Sequence, residues 1–146
     1  MDQPLTIWYC DVCHQPIVDK NRALVIWKSD NTGYYDFKIV HQTINDQQGC
    51  DIPSYSGSMH LEEFLGIPGA VYLTSFLTTG PAHFGENNNI KNISEFVDLF
   101  RRLQVPYYEE ARRYFSTEKT QSYIQGWNEF APYLPETLKK IIEINS

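Results

Sequence analysis

Hydrophobic and polar positions follow two different periods along the chain, and the period changes near residue 59. Residues 23–28 (ALVIWK) and 34–40 (YYDFKIV) are rich in β-branched and aromatic side chains, and a polar stretch, SDNTG, separates them. Two such runs joined by turn-forming residues predict a β-hairpin, with Asn31 and Gly33 available for the turn.

The second strand of this hairpin carries a histidine on its apolar face. Alternation with a period of two places four side chains on that face: Tyr35, Phe37, Ile39 and His41. With the turn centred near residue 31 or 32, His41 lies opposite about residue 21. We therefore expect His41 at the base of the hairpin, at the end that leads back to the N-terminal residues.

From residue 59 onward the apolar residues recur at helical spacing. The segments that show it are residues 59–65, residues 70–78, residues 95–104 with Ser94 as N-cap, a helix opened by Pro106, residues 118–131, and a last helix from Pro135. The chain therefore predicts an α+β fold, in which a small β-hairpin module is followed by a helical body of four to six helices. We expect a single domain over residues 1–146, with the hairpin module in residues 1–58 and the helical part in residues 59–146.

The net charge of −6 is unevenly distributed over the 146 residues. Residues 1–90 contain four Lys or Arg and ten Asp or Glu, whereas residues 91–146 contain eight of each. An acidic N-terminal part repels the phosphate backbone of nucleic acids, so we do not expect nucleic acid as a partner.

One basic concentration keeps nucleic-acid binding as an alternative. It consists of Arg101, Arg102, Arg112 and Arg113. The carboxylates expected to pair with these arginines are Asp98, Glu109 and Glu110. Binding of a nucleic acid would instead require the four arginines to converge with exposed tyrosines on one surface.

The N-terminal stretch MDQPLTIWYCDV does not resemble a secretory signal, because it has neither a basic segment nor a long apolar run. No apolar stretch approaches the ~20 residues that a membrane-spanning helix needs. The three cysteines, an odd number, argue against a disulfide framework. We therefore expect a cytoplasmic protein without a membrane partner.

Residues 7–18, IWYCDVCHQPIV, contain C-x-x-C-H, which has two incompatible interpretations. Covalent haem would use the thiols of Cys10 and Cys13, with His14 as the iron ligand, and the motif would open a helix. Pro16 disfavours that helix, and the apolar residues before the motif are typical of a strand. A zinc site fits better, because a C-x-x-C turn presents two thiolates to one ion.

A tetrahedral zinc site needs two further ligands. The candidates in the chain are His14, His41, Cys50, His60 and His83. Cys50 is the remaining thiol, and it lies in a polar loop of residues 42–58 that a metal would anchor. His41 lies at the correct end of the hairpin, whereas His60, near the start of a predicted helix, is its strongest rival. The expected site is a closed, structural Cys₃His site formed by Cys10, Cys13, His41 and Cys50.

Residues 7–78 contain Cys-x-x-Cys-x-x-Pro-Ile, the strand end FKIVH, the distal Cys50 and the stretch HLEEFLGIPGAVYLTSFL. In these features the first part of the chain resembles a group of small uncharacterised bacterial proteins. The resemblance covers roughly residues 7–78 and implies that His41 and Cys50, rather than His60, complete the site. The topology predicted for this part of the chain is similar to that of zinc-ribbon or treble-clef modules. This similarity concerns the fold alone and implies no activity.

The function expected from these features is that of a zinc-binding protein-interaction or regulatory module, acting on an unidentified protein partner or through self-association. The alternative is a zinc-dependent hydrolase or deaminase-like enzyme that uses His60 and Glu62. Zinc deaminases combine such an H-x-E motif with P-C-x-x-C. Here C-x-x-C precedes H-x-E and lacks the proline, so the order is reversed and the enzyme is less favoured.

Overall fold

The structure is a computed structural model that describes residues 5–45, 47–77 and 89–146. The candidate ligand His83 and the last residue of the helix predicted over residues 70–78 lie outside the described residues. The strands are β1 (Trp8–Tyr9), β2 (Pro16–Ile17), β3 (Ala23–Asp30), β4 (Gly33–His41) and β5 (Gly57–His60). β1 pairs antiparallel with β2, and the other strands form an antiparallel sheet in the order β4-β3-β5.

Helices occupy most of the remaining described chain. They are α1 (Gly66–Thr74), α2 (Ile93–Gln104), α3 (Tyr108–Arg112), α4 (Glu118–Ile124) and α5 (Pro135–Ile144), with short 3₁₀ helices at Lys20–Arg22, Leu61–Phe64 and Ala131–Tyr133. The α+β class is confirmed, and the five α-helices in the described residues fall within the predicted number. Asn92, rather than Ser94, caps α2, because its side chain accepts the backbone N–H of Glu95.

Strands β3 and β4 form the predicted hairpin. Asp30 pairs with Gly33 at the tip, and Ala23 pairs with His41 at the base. The turn is centred between residues 31 and 32, and a bulge between Ile26 and Lys28 shifts the register by one residue, so His41 lies opposite residue 23 rather than about residue 21. The histidine nevertheless occupies the expected end of the hairpin.

The bulge also changes which aromatic rings share a face of β4. Asp36 adopts a left-handed conformation (φ 56°), which interrupts the strand alternation. Tyr34, rather than Tyr35, therefore packs with Phe37 against the ring of Phe76, with centroid separations of 5.1 and 5.4 Å.

The helix predicted over residues 59–65 is not formed. Met59 and His60 belong to β5, which pairs along the edge of β3, and Leu61–Phe64 is a 3₁₀ helix. At Gly57 the missing side chain leaves room for Trp27, since a Cβ there would come within 2.1 Å of the indole. Backbone pairing with β3 satisfies the polar groups of this segment and outweighs its local helical period.

The described residues form two apolar cores. The main core packs the sheet against α2 and contains the fully buried side chains Trp8, Ile17, Val25, Ile39, Val40, Leu61, Phe64, Leu73, Phe96 and Leu103. A second core joins α3 to α5 through Tyr108, Ala111, Leu138 and Ile141. No helix in the described part of the chain is long and apolar enough to cross a membrane.

Candidate metal centre

The C-x-x-C motif forms the tight turn between β1 and β2. The N–H of His14 donates to the carbonyl of Cys10 at 2.9 Å, and the N–H of Cys10 donates to the carbonyl of Gln15 at 3.0 Å. His14 has a φ of 65°, a left-handed conformation that returns the chain toward β2. Cys10 is buried and Cys13 is exposed, so the turn presents one thiol from the core and one from the surface.

His41, the last residue of β4, turns its imidazole toward this pair of thiols. Its Nδ1 lies 3.4 Å from the Sγ of Cys13, and its Nε2 lies 3.3 Å from the carbonyl oxygen of Pro16. Because the carbonyl is an acceptor, it selects the tautomer that carries the proton on Nε2. Nδ1 is then unprotonated, and its lone pair is available on the side of the sulfurs. This is the arrangement in which histidine ligates metals.

Cys50 reaches the same point because its loop folds back onto the end of β4. Its N–H donates to the carbonyl of His41 at 2.7 Å. Gly49 permits this close approach, since a Cβ there would lie 2.4 Å from backbone atoms of Gln42 and Thr43. The Thr43 hydroxyl accepts the N–H of Gly49 at 2.9 Å and donates to Asp51 at 2.6 Å, which ties the loop across its base.

The structure thus brings together all four predicted ligands. One ligand atom from each of Cys10, Cys13, His41 and Cys50 lies within 4.8 Å of the others, and this is the one group of its kind found in the described ranges. Ideal tetrahedral zinc, with Zn–S of about 2.3 Å and Zn–N of about 2.0–2.1 Å, separates two sulfurs by about 3.8 Å and a sulfur from a nitrogen by about 3.6 Å. A Cys₃His group is therefore positioned to hold a metal ion.

The protonation chemistry of the thiols is that of a crowded anionic site. Burial opposes ionisation of Cys10, but backbone N–H groups of Cys13, Val12 and His41 outweigh it and lower the Cys10 pKa to about 6. Burial, together with hydrogen bonding to the other two thiols, raises the pKa of Cys50 to about 12. Backbone N–H groups thus favour the thiolate of Cys10, and the neighbouring sulfurs oppose a second negative charge on Cys50. A divalent cation bound among the sulfurs would remove this electrostatic opposition.

The two rival ligands within the described residues do not join this group. His14 is exposed beside the turn, and His60 ends β5, on the opposite side of β3 from β4 and its His41. The backbone N–H of His60 donates to Glu63, and Glu62 is exposed on the following 3₁₀ helix. The H-x-E motif is therefore separated from the C-x-x-C turn by the width of the sheet.

The four arginines of the basic concentration are engaged in separate contacts. As predicted, Arg102 pairs with Glu109 and Arg112 pairs with Asp98. Arg101 stacks over the ring of Tyr133 at 3.7 Å, and Arg113 stacks over that of Tyr9 at 4.2 Å. Two of the four guanidinium groups are thus neutralised within the fold.

Two residues that sequence reasoning missed help to form the centre, namely Asp11 and Gly49. Asp11 lies inside the C-x-x-C turn, and its N–H donates to the carbonyl of Ile39 at 2.8 Å, which attaches the turn to β4. The available signals were an acidic residue between two thiols and a glycine directly before the third. Both signals are local, but their meaning depends on contacts that only the folded chain makes.

Comparison of the chain with protein families, curated proteins and solved structures finds no significant match. The resemblance to small bacterial proteins is therefore supported only by the Cys₃His group itself.

Proposed function

We propose that the chain binds one zinc ion through Cys10, Cys13, His41 and Cys50, and that the ion is structural. The observation that carries the proposal is the convergence of four donor atoms from three separate segments within 4.8 Å. Three thiolates and an imidazole suit zinc, whereas magnesium and calcium prefer oxygen ligands. Four protein ligands complete a tetrahedron and leave no position for the reactive water that a catalytic zinc carries.

The role of the ion in this proposal is to join segments that bury little apolar surface. It would tie the turn between β1 and β2, the end of β4 and the loop before Cys50 at one point. Structural zinc in finger peptides has an apparent binding free energy of about 10–16 kcal/mol at neutral pH. Binding of that strength is sufficient to order segments of this size.

A protein-interaction role is supported by apolar side chains that the fold leaves uncovered. On α1, Ile67 is 80% exposed and Val71 is 60% exposed, one helical turn apart. Continuous exposed apolar patches, unlike single exposed residues, mark protein–protein contacts, and Tyr72, 45% exposed next to Val71, extends this patch. The occupant we propose is a second copy of the chain, in line with the expected self-association.

Sedimentation velocity over a range of concentrations tests this surface. We expect a dimer that dissociates in the double variant Ile67→Ser/Val71→Ser but not in the control Val18→Ser, which changes a similarly exposed residue elsewhere. A wild-type monomer at every concentration would contradict self-association and would leave a different protein as the partner.

Metal analysis of the purified chain tests the zinc proposal. We expect one zinc per chain by mass spectrometry, lost in Cys50→Ser and His41→Ala and kept in the matched control His60→Ala. Zinc that survived in His41→Ala but disappeared in His60→Ala would overturn the proposed ligand set in favour of a site at the H-x-E motif.

A further inference from the structure

A buried arginine connects the C-x-x-C turn to the helices. Arg102 of α2 is 3% exposed and donates from Nη1 to Oδ2 of Asp11 at 2.8 Å and from Nη2 to the carbonyl of Tyr9 at 3.0 Å. Its Nε and Nη2 also donate to the two carboxylate oxygens of Glu109, at 2.7 and 2.9 Å. Glu109 is itself only 2% exposed, so both charges depend on this pairing.

Asp11 links this arginine to the metal-binding residues. It lies between Cys10 and Cys13, and its Oδ2 accepts the N–H of Ile39 at 2.8 Å as well as the Arg102 contact. Ile39 precedes His41 by two residues on β4. Asp11 therefore fixes the spacing between the turn that carries two thiols and the strand that carries the imidazole.

Strand β1 contacts the same two helices through two further hydrogen bonds. The N–H of Tyr9 donates to Oε2 of Glu109 at 2.9 Å, and the indole N–H of Trp8 donates to the carbonyl of Arg102 at 3.0 Å. Every one of these groups is part-buried or buried, where charge-assisted hydrogen bonds are strongest. The residues just before Cys10 are thus docked on α2 and α3.

We propose that Arg102 is a positioning residue for the metal centre, acting through Asp11, so that a residue of the helical part sets the metal affinity of the N-terminal turn. This inference rests on the proposed binding of zinc. Because coupling between two events is reciprocal, zinc binding strengthens in turn the docking of β1 on α2 and α3.

A second ion pair between the same two helices provides the control. Arg112 of α3 donates from Nη2 to Oδ2 of Asp98 on α2 at 2.6 Å. This pair joins the helices to each other, whereas the Arg102 contacts also join them to the C-x-x-C turn. If Arg102 only joined the helices, removing either ion pair would change zinc affinity to the same extent. If Arg102 positions the metal ligands, zinc affinity falls only when its own contacts are removed.

Competition titration of the full chain with a chromophoric zinc chelator tests the proposal. Loss of groups that orient metal ligands typically weakens metal affinity by about 10–100-fold, and we expect a loss of that size in Asp11→Asn. Asparagine can still accept the N–H of Ile39, so this variant removes the charge with little change in shape. The control Arg112→Met is expected to bind zinc as tightly as wild type.

The buried arginine needs a paired substitution, because its removal alone leaves the Glu109 carboxylate buried without a partner. Arg102→Met/Glu109→Gln removes both charges and is expected to weaken zinc binding as Asp11→Asn does. Cobalt gives an independent readout, since its d–d absorption bands report ligand geometry. We expect these bands to shift in Asp11→Asn and in the double variant and to be unchanged in Arg112→Met.

The outcomes separate this inference from the proposed function. Zinc binding by wild type, with equal affinity in Asp11→Asn, the double variant and Arg112→Met, would overturn the positioning role and leave the zinc site intact. Failure of wild type itself to bind zinc would instead overturn the proposed function on which the inference rests.

Discussion

The turn-and-loop region around the candidate metal centre and the C-terminal helices are stabilised in different ways. In residues 5–22 the buried apolar residues are Trp8, Cys10 and Ile17, and none of the described residues between 41 and 51 is buried. The C-terminal helices have a core of their own, in which Leu138 and Ile141 are fully buried against α3. A segment with little apolar burial needs another source of free energy, and a metal centre supplies one.

The largest difference between the two regions is expected on removal of zinc. Treatment with a strong chelator should abolish amide protection over residues 8–17 and 41–50, while the amides of α5 stay protected by the second core. Hydrogen exchange resolved by mass spectrometry measures both regions at once. The Cys50→Ser variant is the control, since a chelator should change nothing further in it; uniform loss of protection along the chain would show that the two regions do not differ.

A cavity in the second core should lower the free energy of unfolding without affecting the metal centre. Leu138 is fully buried, so Leu138→Ala is expected to lower the free energy of unfolding by about 2–5 kcal/mol. Zinc content should be unchanged. Urea unfolding gives the first quantity, and Leu134→Ala, at a half-exposed position beside it, should cost less than about 0.5 kcal/mol. Loss of zinc in Leu138→Ala would mean that the metal depends on the distant core.

Gly49→Ala perturbs the candidate centre without touching a ligand. The added methyl group would lie 2.4 Å from the backbone at Gln42 and Thr43, so the loop must move away from β4 and take Cys50 with it. We expect zinc affinity to fall by roughly tenfold, as when groups that orient ligands are lost. Gly126→Ala is the comparison, because a Cβ there meets no atom within 4 Å and its positive φ affects stability alone. Equal zinc affinity in both variants would be evidence against the packed loop.

The smallest expected effect is on the stability that the Arg112–Asp98 pair contributes, and this contribution depends on pH. Burial opposes ionisation of Asp98, but hydrogen bonds from Arg112 and Tyr108 outweigh it and lower the pKa of this carboxyl. A lowered pKa contributes stability above the pKa of the unfolded chain, and that stability is lost as the pH falls through the folded-state value. Asp98→Asn should therefore be less stable than wild type at pH 7 by up to about 1 kcal/mol, and the difference should shrink in acid. A difference that grew as the pH fell would have the wrong sign.

The hairpin and the candidate ligand set could be predicted because their signals are local. C-x-x-C specifies its own turn, and a hairpin with Asn31 and Gly33 near its tip necessarily brings His41 to its base. The bulge at Ile26/Lys28 shifted the register by one residue without moving the histidine from that end. The resemblance that favoured His41 and Cys50 agrees with the convergence of their ligand atoms.

The remaining features depend on contacts between distant segments. The helical period of residues 59–65 was misleading, because the open edge of β3 and the space at Gly57 favour a strand. Pairing of the four arginines with nearby carboxylates was expected, but the contact of Arg102 with Asp11 spans 91 positions of the chain. No local pattern reports such a contact, and the link between the candidate centre and the helices became visible only in the folded chain.

X-ray absorption at the zinc K-edge of the purified chain measures whether Cys10, Cys13, His41 and Cys50 bind one zinc ion. A closed Cys₃His site gives three sulfur neighbours at about 2.3 Å and one imidazole nitrogen at about 2.0–2.1 Å, with no water oxygen. A first coordination sphere with two sulfurs, or with an oxygen in place of the imidazole, would contradict the closed Cys₃His site.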